Sequence, residues 1–592
     1  MAVELAAART RVFGVDAIAA RLDDRFRLLT GGARTALPRQ QTLRAVVDWS
    51  YDLLFDDERH LFDRMSVFAG GCSLAAAEAV CAGDDIPTDD VADTLGRLVD
   101  KSLVVAEPSP TGARYRLLQT LASYGREHLS ESGETSPVRD RHGAYYVELA
   151  ARSRNASQGF AQRAWLSEVR SDLDNLRAAL AWALELDHAD DALRLAGGLG
   201  WFFWVHGGVD EGREWLDAAL ALNGYTDLAA RAVALVWTAY LGMLMGRAED
   251  YQTRIAEGLD AAKRSGVAEV LGQIATTVAF LDESRGDPER ALQRFGSALD
   301  ALGSAAERPW VGAACTYVEG QRLRLCGHLR DAERALVDAA DQLIAAGDLV
   351  IGGFALQQVA DLAEARGDYA MAMDALAHAV RVTSGFGFEG FEAMMTARLG
   401  TVAMLAGDFE DADTRLAAAE ALGRELRYPA ILALALNATS MLRRRQGRIE
   451  DAAAAAADAL ALYRAADIPE GSALALINLG FVAELRADAP QAEGLHREAF
   501  VEASRLGDPR AVARAVEGLA GAAVVAGQAD RAARLLGAAD ALRHSVGSPL
   551  AQGERFDVDR IEVALGLLLE PPAALAARRA GAEADLASLV SL

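Results

Sequence analysis

The sequence predicts a mainly α-helical protein in which a small winged-helix domain precedes an α-solenoid of about eight to ten helix pairs. Three observations predict it. A four-position pattern returns every 40 residues from about Ala230 to Ala539. Ahead of it, helical apolar spacing gives way to a short apolar hairpin. The 592 residues are 52% hydrophobic, which suits a packed chain and not a disordered one.

The repeat is read from its glycines. Gly246, Gly286, Gly327, Gly367, Gly407, Gly447, Ala487 and Gly527 are 40 residues apart in every interval but one, which is 41. Five residues after each from Gly286 onward stands an alanine: Ala291, Ala332, Ala372, Ala412, Ala452, Ala492 and Ala532. Seven further on is another: Ala298, Ala339, Ala379, Ala419, Ala459, Ala499 and Ala539. Seven before each glycine lies a small residue: Ala239, Ala279, Gly320, Ala360, Gly400, Ser440, Gly480 and Ala520. The glycine supplies the left-handed residue that ends a first helix, and an acid or arginine after it starts a second. Alanines seven apart lie on one helix face, so paired helices can approach closely. This spacing resembles the tetratricopeptide (TPR) repeat, with longer helices than its usual unit. The resemblance implies a right-handed superhelix whose inner face binds a partner.

Composition excludes several classes. The net charge of −25 argues against generic nucleic-acid or anionic-membrane binding by the whole surface. Cys72, Cys81, Cys315 and Cys326 are too scattered for a disulfide framework, and no C-x-x-C or H-E-x-x-H suggests zinc. The start, MAVELAAARTR, lacks the pattern of a signal peptide, and the apolar run Ala232 to Met245 is too short for a membrane span. A cytoplasmic location is expected.

Five segments follow: 1–37, the remnant of a helical segment that follows an NTPase module; 38–135, the winged helix; 136–228, an irregular helical lead-in; 229–544, the 40-residue repeats; and 545–592, a helical cap. Residues 2–8 read as the end of a helix, and Val15 to Leu22 as a second. Thr42 to Leu54 carries Leu43, Val46, Val47, Trp49 and Leu53 at helical spacing. Asp56 or Asp57 is expected to cap a helix through Phe68. Asp89 to Leu103 turns Val91, Leu95, Leu98 and Val99 inward. VVAEPSPTGARYRLL reads as a hairpin about a Pro-Ser-Pro-Thr-Gly turn, and Gln119 to about Leu129 as a helix.

The stretches ELAAAR, RLDDRFRLLTGG, LPRQQTLRA, VDWSYDLL and RLVDKSLVV resemble actinobacterial LuxR/AfsR-type regulators of the STAND class of signal-transduction ATPases. SDLDNLRAALAWAL matches that family's approach to its repeats. The resemblance implies an ATPase module, a winged helix and a TPR sensor in succession, with a helix-turn-helix at the C-terminus of many members. Here no G-x-x-x-x-G-K-[ST] occurs, so no phosphate loop can be built from this sequence. Met1 falls where the last leucine of a family Gly-Leu-Pro-Leu would stand, so the upstream module is expected to be missing, as is a C-terminal DNA reader. The family's Met-His-Asp motif falls on Leu117, Leu118 and Gln119, which removes the nucleotide-sensing histidine.

Between Pro38 and Ser132 stand 9 Lys/Arg and 16 Asp/Glu, against the basic footprint of a DNA reader. Arg114 and Arg116 lie near the wing, with Arg116 the one expected to face inward. The aromatic run 200–208 is read as core, and Arg443, Arg444 and Arg445 as a solvated helix end. Pro571 and Pro572 are expected to break the chain before a last helix near Ala573 to Leu589.

The expected function is signal sensing and protein interaction in transcriptional control. The repeats would hold a protein, peptide or small inducer, and the winged helix would act as a switch or docking element. DNA binding through the winged helix and a truncated ATP-dependent switch are the alternatives. No catalytic, cofactor-binding or metal residue is nominated, DNA-contacting residues are unknown, and ATP or ADP enters only with an upstream module. Enzyme activity is not expected.

Overall fold

The computed structural model describes residues 43–591 apart from 110–111, 154–158, 160, 246–250, 285–287, 303–308, 386, 427, 467 and 547–548. The expectations for residues 1–42, including the first two helices and the ELAAAR and RLDDRFRLLTGG stretches, lie outside these. The chain divides into two compact units. Among the described residues, one is built from those up to 274 and the other from 275 onward, with 159 and 205–207 belonging to the latter.

The first unit opens with helix α1 (Leu43–Asp52), α2 (Asp56–Met65), strand β1 (Cys72–Ser73), α3 (Leu74–Cys81), α4 (Thr88–Asp100), β2 (Val104–Ser109), β3 (Gly112–Leu117) and α5 (Gln119–Glu131). Sheet order is β1-β3-β2, with all pairs antiparallel and Ser109 opposite Gly112 across the hairpin turn. The two-residue β1 was not legible in the sequence. Gly71 sets it in place: its φ is +92°, and a Cβ there would sit 2.8 Å from the Tyr115 carbonyl.

Three expectations need correction. In α1 Val47 is buried, but Trp49 is 49% exposed and, just beyond the helix, Leu53 60%. Two residues on from Val47 is some 200° round the helix, so Trp49 cannot share its face. Neither Asp56 nor Asp57 caps α2. Phe55 is the cap residue, and the Glu58 carboxylate accepts its backbone N–H at 2.9 Å. The helix then stops at Met65, three residues short of Phe68. In α4 Val91, Leu95 and Leu98 are buried as read, but Thr94 takes the inward place given to Val99.

Beyond the winged helix come α6 (Thr135–Ala151), α7 (Gln162–Ser171), α8 (Leu173–Glu185), α9 (Ala189–Gly198), α10 (Gly200–His206), α11 (Val209–Ala221), α12 (Leu228–Leu244) and α13 (Tyr251–Ser265). The aromatic run in α10 is core, as read. Trp201, Phe202 and Phe203 are buried, and Phe203 meets Trp215 edge-on at 5.3 Å.

The chain continues as α14 (Ala268–Ser284), α15 (Pro288–Leu302), α16 (Pro309–Leu325), α17 (Leu329–Ala345), α18 (Leu349–Ala365), α19 (Tyr369–Thr383), α20 (Glu389–Ala406), α21 (Phe409–Glu425), α22 (Pro429–Arg445), α23 (Ile449–Ala465), α24 (Pro469–Leu485), α25 (Ala489–Leu506), α26 (Pro509–Val525) and α27 (Ala529–Ser545). In the second unit α16 to α27 pack as six successive pairs, a TPR-like helical solenoid, and in the first unit α12 packs on α13 as a pair of the same kind.

The 40-residue register has a direct physical reading. Gly327, Gly367, Gly407, Gly447 and Gly527 have φ between 74° and 91°, and Ala487 takes the same left-handed turn at 58°. Gly246 and Gly286 fall outside the described residues. Asp368, Asp408 and Asp488, each following its turn, accept the N–H of Met371, Asp411 and Gln491 at 3.0–3.1 Å and so cap the second helices. The first alanine of each unit, Ala291 to Ala532, is wholly buried. The second, Ala339 to Ala539, is at most 1% exposed. Ala298 is not among the described side chains. The small positions admit the partner helix: a Cβ at Gly320 or Gly400 would lie 2.7 Å from Cγ of Leu336 or Leu416, and at Gly480 it would strike the His496 ring. Ser440 uses the same closeness to donate to the Ala452 carbonyl at 2.8 Å.

The C-terminus forms a 3-10 turn (Gln552–Glu554), α28 (Phe556–Gly566), α29 (Pro571–Glu583) and α30 (Leu586–Ser591). Pro571 and Pro572 begin α29 and do not precede it, because a first-turn proline gives up no helical hydrogen bond. The single last helix expected to Leu589 is two, and Asp585 caps the second through the Ser588 N–H at 2.9 Å.

Candidate functional site

Two surfaces can carry function, one in each unit. The first is the winged helix, whose DNA-facing parts would be α4 and the β2–β3 hairpin. Duplex binding needs cations free to meet phosphates. Here seven of the eight described between 43 and 132 are held by acids. Arg44 pairs with Glu127, Arg59 with Asp56, Arg64 with Asp85 and Glu134, Arg97 with Asp57 and Glu58, Lys101 with Glu58, Arg114 with Asp172 and Arg116 with Glu107. Arg126, the eighth, donates to the Ser123 hydroxyl. On α4, Asp89, Asp90, Asp93 and Asp100 are exposed, so that helix offers phosphate a row of negative charge.

The wing arginines are reversed from the sequence reading. Arg116 lies on the outer side and pairs with the exposed Glu107 at 2.6 Å, whereas Arg114 turns inward. The cause is Asp172, buried at the break between α7 and α8. It accepts from Arg114 at 3.0 and 3.2 Å, from the Tyr146 hydroxyl at 3.0 Å and from Asn175 at 2.8 Å. Asn175 also donates to the Gly71 carbonyl and accepts from the Ala69 N–H, both at 2.7 Å. Arg114 donates to that same carbonyl at 2.9 Å. The hairpin, the turn before β1 and the helices beyond the winged helix thus share one buried network. It makes the domain a packed element of its unit.

Beside this network a cleft of about 400 Å³ is lined by Phe68, Leu129, Ser130, Arg139, His142 and Trp182. That volume lies at the lower end of the range of small-molecule pockets. Burial pushes the His142 imidazole down to about 4, so it is neutral near pH 7. Arg139 lies 4.0 Å above the Trp182 ring.

The second surface is the face that the first helices α20 to α26 present to the C-terminal segment. The arginine cluster in α22 belongs here, which corrects its reading as a solvated helix end. Arg444 is 3% exposed and donates to Asp557 at 2.5 Å and to Asn478 at 3.0 Å. Arg445 donates to the Gly553 carbonyl at 2.6 Å and lies 5.4 Å from the Phe556 ring. Arg443 pairs with Asp413. A local signal existed: Arg444 follows the inward Ser440 by four residues, which places both on one helix face. Asp172, Tyr369 and Gly553 carry no comparable local signal, since their partners are far away in sequence.

Among the described residues no group of three or more His, Cys, Asp or Glu could hold a metal ion, and no helix is long and apolar enough to cross a membrane. The four cysteines are free, and burial raises the Cys81 thiol to about 12, which keeps it unreactive.

Residues 54–130 match the winged helix-turn-helix domain family. Over 356 residues the chain is 38% identical to proteins of Mycobacterium tuberculosis and Mycobacterium bovis named "Putative HTH-type transcriptional regulator", a match that covers 58% of this chain and 40% of theirs. The chain thus spans well under half the length of these relatives. An uncharacterized protein of M. tuberculosis is 48% identical over 145 residues, 24% of this chain and 36% of its own. Among solved structures, a Rap protein complexed with competence and sporulation factor matches 57% of this chain and 99% of its own, at 12% identity and a TM-score of 0.40. A STAND protein with a tetratricopeptide repeat sensor from Pyrococcus horikoshii matches 98% of this chain and 74% of its own, at 10% identity and a TM-score of 0.39.

Proposed function

We propose that the chain is the signal-sensing and protein-interaction portion of a transcription regulator of the LuxR/AfsR-type STAND kind. The TPR-like repeats receive a protein or peptide partner, and the winged helix serves as a switch or docking element. The observation that carries this reading is the charge state of the winged helix. Six of its eight described cations are spent on its own acids and a seventh, Arg114, on Asp172 beyond it, and α4 presents four exposed aspartates. Approach to DNA would cost electrostatic repulsion without releasing counterions to offset it. ATP or ADP would act only through an NTPase module supplied outside this sequence.

The alternative is a regulator that reads DNA through the winged helix, which the family match and the names of the mycobacterial relatives favour. Fluorescence anisotropy of labelled duplex DNA, titrated with the chain at low and at physiological salt, separates the two. The expected trace is flat at both. Binding that strengthens steeply as salt falls, and that disappears on Arg116→Glu, would establish the alternative instead.

A further inference from the structure

Solenoid ends need a cap, and α29 supplies one by packing directly on α27: a Cβ at Gly537 or Gly581 would run into the backbone of the other helix at Arg578 or Arg534. The segment before it does something a cap does not require. Residues 551–560 reach back from α26 as far as the start of α19 and are met on four helix pairs by one polar group after another. The Gly553 N–H donates to the Tyr369 hydroxyl at 2.9 Å, 184 residues away, and the Gly553 carbonyl accepts from Arg445. Arg510 donates to Glu554 at 3.0 Å, Arg444 to Asp557 at 2.5 Å, and Arg560 of the segment to Glu484 at 2.6 Å. Arg444 and Glu484 are 40 residues apart, the same register position in successive repeats. Each takes the opposite charge from residues one helical turn apart on the segment.

We propose that this face is a binding site for a short acidic peptide of the pattern Gly-Glu-x-Phe-Asp-x-x-Arg, and that the chain's own residues 553–560 fill it as a built-in competitor. The proposal rests on the reading of the repeats as a partner-binding surface and names the chemistry of that partner. Gly553 is the steric key. A Cβ there would lie 2.5 Å from the Tyr369 hydroxyl and closer still to the Leu405 carbonyl, so only glycine lets the backbone descend onto the face. The arginines then select the following acids and the aromatic ring.

The fit in cis is incomplete, which leaves room for a better ligand. Nε of Arg444, Nε of Arg560 and Oε2 of Glu554 are buried without a hydrogen-bond partner. Arg514, one turn beyond Arg510, has no ion pair among the described residues, and burial lowers its pKa. The acid one turn further, Glu517, is taken by Arg543 at 2.6 Å. Of four arginines of the face, at 444, 445, 510 and 514, two meet acids of the segment, Asp557 and Glu554, while its third acid, Asp559, is held by its own Arg555. An incoming peptide with a third carboxylate, or with freedom to settle each bond, gains what the tethered segment cannot.

The test uses the 592-residue chain and a fluorescein-labelled peptide of the sequence AQGERFDVDR, with a scrambled peptide as control. Gly553→Val evicts the segment without altering the face, and Glu554→Lys with Asp557→Lys does so by charge if the valine variant fails to fold. Hydrogen exchange at 551–557 reports eviction. Wild type is expected to bind the peptide weakly, the evicted chain at least tenfold tighter, and the evicted chain carrying Arg510→Glu not at all. Exchange at 551–557 that no variant accelerates, or an evicted chain that binds no better than wild type, overturns the proposal. In either case a partner held elsewhere on the repeats, with duplex DNA still unbound, leaves the wider reading standing.

Discussion

Asp172→Ala should release the winged helix from the helices that follow it. The carboxylate is almost fully buried and is the only acid paired with Arg114 among the described residues, whose guanidinium side chain is 15% exposed. It also accepts from Tyr146 and Asn175. Alanine strands one buried cation and two buried donors together. Breaking one partner out of a buried pair costs roughly 3–5 kcal/mol, and the orphaned neutral donors act in the same direction. Because the two units need not unfold together, the loss is best read locally. Amide exchange across β2 and β3 should accelerate roughly a hundredfold or more, since each 1.4 kcal/mol is a factor of ten. Amides of α24 and α26 in the second unit serve as the internal reference. Asp172→Asn, which keeps one acceptor, should fall between. Arg116→Ala, at the outer wing pair, should leave exchange unchanged. An Asp172→Ala hairpin that exchanges within threefold of wild type would refute the network as the anchor.

Other outcomes follow from the same structure. Ala487 adopts a left-handed turn without glycine's freedom, so Ala487→Gly should stabilise the second unit by about 1 kcal/mol in a denaturant melt. Gly400→Val would drive a side chain into Leu416 and the Ala412 carbonyl, and should lower the melting temperature by several degrees, with a cost of about 1–3 kcal/mol. Two groups make the first unit's stability depend on pH with opposite signs. His142 is neutral when folded down to about pH 4, so its contribution of about 3 kcal/mol is present above 6.5 and lost as pH falls to 4. Burial holds the proton on Asp63 up to about 7, so stability from that site falls as pH rises from about 4 to 7. Asp63→Asn should therefore raise stability at pH 7 more than at pH 5, in melts followed by hydrogen exchange of α2.

The sequence spoke clearly wherever structure is local and repeated. A left-handed turn, a cap three residues on and a buried alanine at fixed offset depend only on near neighbours, so Gly407, Asp408 and Ala412 state their own roles. The β2–β3 hairpin was legible for the same reason. What stayed hidden depends on partners far away along the chain. Whether Arg114 or Arg116 turns inward is settled by Asp172, and whether Arg444 is solvated is settled by Asp557, 113 residues on. A charged residue read alone defaults to solvent, and only the fold reveals the acid that draws it in. Trp49 was misplaced for a local reason, since it stands some 200° round the helix from Val47, the position the fold buries.

The most direct test of the account is a hydrogen-exchange map of the chain mixed with duplex DNA and, separately, of the Gly553→Val chain mixed with the acidic peptide. No new protection is expected in helix Thr88–Asp100 or in the hairpin with DNA, and protection is expected along the first helices of the second unit with peptide. Protection of Thr88–Asp100 by DNA would contradict this.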